Sequence, residues 1–116
     1  MIVVSIDPRF WQNVRAALQR DPRFRADEES VHSDDPLTNI YPVPVQPAEW
    51  ENWRPVSGLP HLQSMAHLIV ETRSAEWVAA IGALLTDATT FPVWLIDATD
   101  KVWPADQVSP DRVTLA

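Results

Sequence analysis

The chain has 116 residues and a formal net charge of −7, with 16 acidic side chains against 9 basic ones. It contains no cysteine, 11 prolines and only 2 glycines. The missing thiols exclude a disulfide scaffold, a thiolate metal site and a cysteine nucleophile. The negative field disfavours nucleic acid or an anionic membrane as the main partner. The length fits one domain, and we predict a single domain over residues 1–116.

The chain begins with a strand and a helix. The apolar, β-branched run from Ile2 to Ile6 is typical of a buried strand. Because Asp7 can cap free backbone amides and Pro8 is preset for a first helical turn, the next residues predict a helix from about Pro8 to Arg20. No targeting signal precedes the first strand, and no apolar run is long enough to span a membrane, so we expect a cytoplasmic protein.

Residues 23–36 are polar and show no clear period, which predicts a solvated loop. Five arginines lie in or before this stretch, so an alternative is that a basic and an acidic block face each other across a turn. The acidic block has no lysine or arginine within it and consists of Asp27, Glu28, Glu29, Asp34 and Asp35.

A proline-rich stretch follows, from Pro36 to Pro60, and it predicts a rigid, extended connection. Leu37 to Tyr41 predicts an edge strand, because the prolines after it cannot donate regular ladder hydrogen bonds. Long ordered connections of this kind are often functional.

Within this connection, Pro47 to Trp53 predicts a short helical turn with proline at its start. On such a turn the rings of Trp50 and Trp53 face the same side, and Glu49 and Glu51 flank them. Tryptophan is common in binding hot spots, so we predict these residues as anchors for a partner. The alternative is that the two rings pack the loop onto the sheet.

The second half of the chain has a clearer pattern. Met65 to Glu71 predicts a buried strand, Ser74 can cap a helix from Ala75 to about Asp87, and Phe91 to Asp97 predicts the next strand. Strand, helix and strand in this order predict a βαβ unit with a right-handed crossover. Gly82, inside the apolar helix, indicates close approach to another backbone.

The last residues predict two further strands. A turn at residues 98–100 leads into Lys101 to Trp103, which predicts a hairpin, and Arg112 to Leu115 predicts a short edge strand. The fold class that follows is α/β, at the border with α+β. We predict a single mixed sheet of about four to five strands, with one βαβ unit and a C-terminal hairpin, covered by two helices.

Motifs for catalysis are scarce. Gly58 and Gly82 are the only glycines, which leaves no phosphate-binding loop, and the three histidines are too scattered for a zinc site. Asp7, Glu71 and Asp97 each close a predicted strand and would gather at one edge of a parallel sheet, where they suit Mg²⁺. Helix capping at Asp7 and turn formation at Asp97 are the stronger explanation of these residues. We therefore predict no catalytic residue, no metal site and no cofactor.

A small, acidic, cysteine-free chain without catalytic motifs resembles, in profile only, the immunity proteins with which bacteria neutralise toxins. The resemblance implies a non-catalytic protein that occludes the active site of a basic toxin, of which cationic nucleases are common examples. The alternatives are a small Mg²⁺-dependent enzyme that uses the strand-end carboxylates, and an adaptor subunit that docks through the helix of Trp77. The predicted partner-binding residues are Asp27, Glu28, Glu29, Asp34, Asp35, Glu49, Trp50, Glu51 and Trp53.

Overall fold

A computed structural model describes residues 1–43 and 65–115. These residues form seven strands, two α-helices and one short 3₁₀ helix. In chain order the elements are β1 (Ile2–Ser5), α1 (Phe10–Gln19), β2 (Arg25–Ala26), β3 (Val31–Asp34), β4 (Leu37–Pro42), β5 (Ala66–Thr72), α2 (Ala75–Asp87), β6 (Val93–Ile96), β7 (Val102–Pro104) and the 3₁₀ helix (Ala105–Gln107).

The seven strands join one sheet in the order β2-β3-β4-β5-β1-β6-β7. Every hydrogen-bonded pair in it is antiparallel. β1 lies inside the sheet, where Val3 is opposite Leu68 of β5 on one side and Leu95 of β6 on the other. The prediction of a mixed sheet with four to five strands is therefore wrong in both strand number and pairing.

The predicted strand–helix–strand order is present, but its two strands are not neighbours. β5 and β6 are each antiparallel to β1, so they run in the same direction with β1 between them. This is a split βαβ arrangement, and it forms no parallel ladder. The predicted C-terminal hairpin is confirmed, because β6 pairs with β7 directly and antiparallel.

Residues 25–34 contain two short strands where the sequence predicts a loop. In β3, Val31 and Ser33 are buried while Asp34 is exposed, an alternation too short to stand out among polar residues. Because β3 and β2 continue the sheet beyond β4, β4 is an inner strand and not the predicted edge strand. The predicted last strand, Arg112 to Leu115, is also wrong, since these residues form no strand.

Both helices pack on the same face of the sheet. α1 begins at Phe10, two residues after the predicted start, whereas α2 has the predicted bounds and the predicted cap, in which the Ser74 hydroxyl accepts the backbone N–H of Trp77. The opposite face carries a smaller buried cluster of Val4, Met65 and Ile96. The main core joins helix and sheet residues, among them Phe10, Val14 and Leu18 of α1, Ile81 and Leu85 of α2, and Val3, Ile40, Leu68 and Leu95 of the sheet.

Gly82 of α2 lies against the backbone of the 3₁₀ helix, which confirms the predicted close approach. A Cβ atom built at Gly82 would lie 1.9 Å from the carbonyl oxygen of Ala105 and 3.0 Å from its carbonyl carbon. Ala105 is itself fully buried. Any side chain at position 82 would therefore push α2 and the 3₁₀ helix apart.

We expect Gly82→Ala to lower the free energy of unfolding by about 1–3 kcal/mol, the usual cost of overpacking a core. The loss would occur although alanine is the better helix former by about 1 kcal/mol. Ala83→Gly, at the exposed neighbouring position, is the control and should cost only the propensity difference. Urea unfolding checks both variants, and a stability equal to or above that of the parent in Gly82→Ala would contradict the tight contact.

Candidate functional site

The predicted acidic block does not form one continuous surface. Asp27, Glu28 and Glu29 lie in the turn between β2 and β3, whereas Asp34 and Asp35 lie at the other end of β3. β3 has four residues, and a strand of that length spans about 13 Å. The sequence brings the five carboxylates close together, and the strand between them separates them into two groups.

The β2–β3 turn, residues 27–30, is organised by Asp27. Its Oδ1 accepts the backbone N–H groups of Glu29 at 2.8 Å and Ser30 at 2.7 Å, and its own N–H donates to the carbonyl of Ser30 at 2.9 Å. These hydrogen bonds from Glu29 and Ser30 hold the pKa of Asp27 below its usual range. With Asp27 used in this way, Glu28 and Glu29 are exposed at the tip of the turn.

The basic residues of the first half do contact the acidic block. Arg25 of β2 forms an ion pair with Asp34 across the strand pair, and the guanidinium of Arg15 donates to the backbone carbonyl of Asp27. The predicted facing of a basic and an acidic block is therefore correct for these residues. The negative charge of Asp34 is compensated locally.

A shallow cavity of about 760 Å³ lies beside the β2–β3 turn. The end of β4 forms its other wall, because β4 runs antiparallel to β3 and ends next to the turn. The hydroxyl of Tyr41 in this wall donates to the Glu71 carboxylate, which raises the pKa of Tyr41. The cavity is lined by Asp27, Glu28, Glu29, Ser30, Tyr41 and Pro42.

The predicted aromatic anchors lie outside the described residues. This applies to Glu49, Trp50, Glu51 and Trp53 alike. The described chain reaches Val43, whose N–H donates to the carbonyl of His67 at 3.3 Å.

The strand-end carboxylates do not gather at one edge. The last residue of β1 pairs with the first residues of β5 and β6. Asp7 therefore lies at the end of the sheet where β5 and β6 begin, and Glu71 and Asp97 lie where those strands end. Within residues 1–43 and 65–115, no group of three or more histidine or acidic side chains is placed to hold a metal ion.

Asp7 connects the β1–α1 turn to the chain after α2. Its Oδ1 accepts the backbone N–H of Arg9 at 2.8 Å, and its Oδ2 accepts the Asn13 amide at 2.8 Å and the Thr89 hydroxyl at 2.7 Å. Burial alone raises the pKa of Asp7, but the hydrogen bonds from Thr89, Arg9 and Asn13 outweigh it and hold that pKa below its usual range. These bonds assign Asp7 a structural role close to the predicted cap.

Trp77, which the adaptor hypothesis uses as a docking residue, is engaged inside the chain. Its ring stacks on Phe24 with centroids 5.5 Å apart, and its Nε1 donates to the Thr38 hydroxyl at 2.7 Å. The guanidinium of Arg23 lies 5.0 Å from the ring centroid. Trp77 thus joins α2 to the first half of the chain.

Comparison of the chain with protein-family models, with curated proteins and with solved structures gave no match. No helix of the described residues is long and apolar enough to cross a bilayer. The geometry of the described residues is therefore the basis for a functional proposal.

The lowered pKa of Asp7 predicts a pH-dependent contribution to stability. A carboxylate with a lowered folded pKa stabilises the fold above its unfolded pKa, about 3.9 for aspartate, and this stabilisation is lost as the pH falls through the folded value. Asp7→Asn should therefore lower the free energy of unfolding at pH 7 by about 1–3 kcal/mol. The difference from the parent should narrow below about pH 4.

Urea unfolding between pH 2.5 and 7 measures this difference. Asp87→Asn, at the exposed end of α2, is the matched control and should change stability little at any pH. A gap between Asp7→Asn and the parent that stays constant over the whole pH range would refute the assignment.

Proposed function

We propose that this chain is a non-catalytic binding protein that neutralises a basic protein partner, a toxin domain such as a cationic nuclease, by covering its active site. The observation that carries the proposal is the β2–β3 turn. There a single carboxylate, Asp27, fixes the backbone, and two further carboxylates, Glu28 and Glu29, are exposed beside a cavity.

The absence of an ion-pair partner among the described residues distinguishes Glu28 and Glu29 from Asp34. The salt bridges within the described residues are Arg23–Asp21 and Arg25–Asp34. Glu28 and Glu29 take part in neither, so their charge is available to an incoming cation. Exposed, uncompensated charge of this kind accelerates association with an oppositely charged partner.

The rigidity of the turn supports the same proposal. Binding to a turn that Asp27 already fixes costs less conformational entropy than binding to a loop that must first become ordered. Tyr41 and Pro42 form a firm wall next to the carboxylates, since β4 is an inner strand. An arginine or lysine of the partner would then meet carboxylate oxygens and an aromatic ring together.

The other predicted partner residues contribute to this proposal in different ways. Asp35, at the other end of β3, adds to the overall negative field, while Asp34 already pairs with Arg25. Glu49, Trp50, Glu51 and Trp53 stay a sequence-based prediction, in which the two rings anchor the partner. The strand-end carboxylates do not support the alternative of a Mg²⁺-dependent enzyme, because Asp7 lies at the opposite end of the sheet from Glu71 and Asp97.

The test begins with the partner. The tagged chain is used to capture proteins from its native host, and each captured protein is assayed for its isoelectric point, for toxicity when expressed alone, and for relief of that toxicity by this chain. A basic, toxic partner that is neutralised supports the proposal. A partner that is acidic, or one whose activity is unchanged by binding, overturns it.

The double charge reversal Glu28→Lys with Glu29→Lys then tests the surface. We expect the association rate with that partner to fall at least tenfold at low salt and the difference to shrink at high salt, because steering charges are screened. The rate is measured by stopped-flow or surface binding across a salt series.

Asp106→Lys with Asp111→Lys is the matched control. Both residues are exposed and follow β7, at the opposite edge of the sheet from β2, and the pair changes the net charge by the same amount. If the two double variants slow association equally, the effect belongs to net charge and the turn is not the binding surface.

A further inference from the structure

Asp97 is a buried carboxylate where three parts of the chain meet: the end of β6, the β6–β7 hairpin and residues 109–115. The residue is only 4% exposed. Its Oδ1 accepts the Thr99 backbone N–H at 2.9 Å, the Thr99 hydroxyl at 2.8 Å and the Lys101 backbone N–H at 3.1 Å. This oxygen therefore shapes the hairpin.

The second oxygen of Asp97 holds the 109–115 segment. Oδ2 accepts the indole N–H of Trp103 at 3.0 Å and the backbone N–H of Thr114 at 3.3 Å. The carbonyl of Thr114 in turn accepts the N–H of Ala98 at 2.9 Å. Both backbone groups of Thr114 are thus attached to the Asp97–Ala98 pair.

Within residues 1–43 and 65–115, the 109–115 segment has few other attachments. It contains a turn of its own, in which the N–H groups of Arg112 and Val113 donate to the carbonyl of Ser109, and it forms no helix or strand. Val113 and Leu115 are half-buried against the main core. Apart from these two side chains, the contact at Thr114 fixes the segment to the sheet.

We propose that the Asp97 carboxylate is a latch that, while ionised, holds the 109–115 segment against the sheet, and that its neutralisation releases this segment while the sheet stays folded. The reason is geometric. Five donor groups converge on the two oxygens of Asp97. A neutral acid or amide brings a donor of its own into that ring of donors, so at least one existing bond must be given up.

The weakest of the five bonds determines which part is released. The Thr114 bond, at 3.3 Å, is the longest, and it is the one that closes a contact to a segment without secondary structure. Segments with few buried contacts open locally at a smaller free-energy cost than the whole protein. Release would also remove Leu115 from the lining of the groove of about 790 Å³ that it shares with Met1, Leu37 and Val70.

The charges around Asp97 agree with a latch that is closed at neutral pH. The ammonium of Met1, the residue before β1, interacts with Glu71 of β5 and with Asp97. The ammonium of Lys101 in the hairpin lies 4.0 Å from the Trp103 ring centroid. The other charged residues of these parts are Asp100 in the hairpin, and Asp111 and Arg112 in the segment.

Burial alone raises the pKa of Asp97, but the hydrogen bonds from Trp103, Thr99 and Thr114 outweigh burial and lower that pKa. The latch is therefore closed above the ordinary range of aspartate and opens as the pH falls through the lowered value. The release of the segment does not depend on the proposed function. The hydrogen bonds of the Asp97 carboxylate all go to residues 99–114, and three strands separate β6 from β3 in the sheet.

The test is Asp97→Asn, studied by amide hydrogen exchange and heteronuclear NOE measurements at pH 7. We expect protection at the Thr114 and Ala98 amides to fall at least tenfold and the NOE values of residues 110–115 to drop. Amides of β1 and β5 should keep most of their protection.

Asp7→Asn is the matched control, because Asp7 is also buried and its carboxylate is also hydrogen-bonded within the fold, but it lies at the opposite end of the sheet. The proposal is overturned if both variants lower Thr114 protection to the same extent. It is also overturned if β1 and Thr114 lose protection together in Asp97→Asn, since the segment would then not open separately.

The parent protein provides a second measurement in case Asp97→Asn does not fold. NOE values of residues 110–115 and the Trp103 indole N–H shift are followed from pH 7 to about pH 2, so that the titration passes through the lowered pKa of Asp97. Loss of order in the segment before loss of dispersion in the β1 amides supports the latch. Simultaneous loss contradicts it.

Discussion

The backbone ladder of β1 is the interaction on which the rest of the molecule depends. Its four residues pair with β5 on one side and β6 on the other, so one short strand joins the first part of the chain to the last. Because both neighbours are antiparallel to it, the connection through α2 crosses over β1 and lies on one face of the sheet. α1 packs on the same face. The stacking of Trp77 of α2 on Phe24 is a further contact between the two halves of the chain.

A buried aspartate lies near each end of β1. Asp7 follows β1 and ties it to the chain after α2, and Asp97 lies by its beginning and ties β6 to the hairpin and the 109–115 segment. Both side chains serve as hydrogen-bond acceptors inside the fold, which removes them from any partner. In the proposed function, the carboxylates that would meet a partner are those of Glu28 and Glu29 in the β2–β3 turn, which lies towards the β2 edge of the sheet.

Features encoded by neighbouring residues could be predicted from the sequence, and features that depend on distant pairing could not. Ser74 and the apolar run after it predict where α2 lies, and Gly82 predicts a close contact, which α2 makes with Ala105 of the 3₁₀ helix. The strands at residues 25–34 are too short and too polar to show a period. No pattern of neighbouring residues shows that β1 lies between β5 and β6. The sequence therefore predicts these two strands as an adjacent parallel pair, which is wrong. The acidic residues from Asp27 to Asp35 are close in sequence, but β3 lies between Glu29 and Asp35 and separates them for the same reason, since its pairing with β4 has no local signal.

The pairing of β1 also bears on how the chain is made. Ile2 is synthesised well before its partners Ile69 and Ile96, which lie much later in the chain. Contacts between such distant residues close slowly, since the intervening chain must be ordered before they form. During translation the apolar faces of β1 and α1 therefore have no completed sheet to cover them, and exposed surfaces of this kind are prone to aggregate. Synthesis of β6 supplies the second neighbour of β1, and the main core is complete only when Trp103, Ala105 and Val108 have followed.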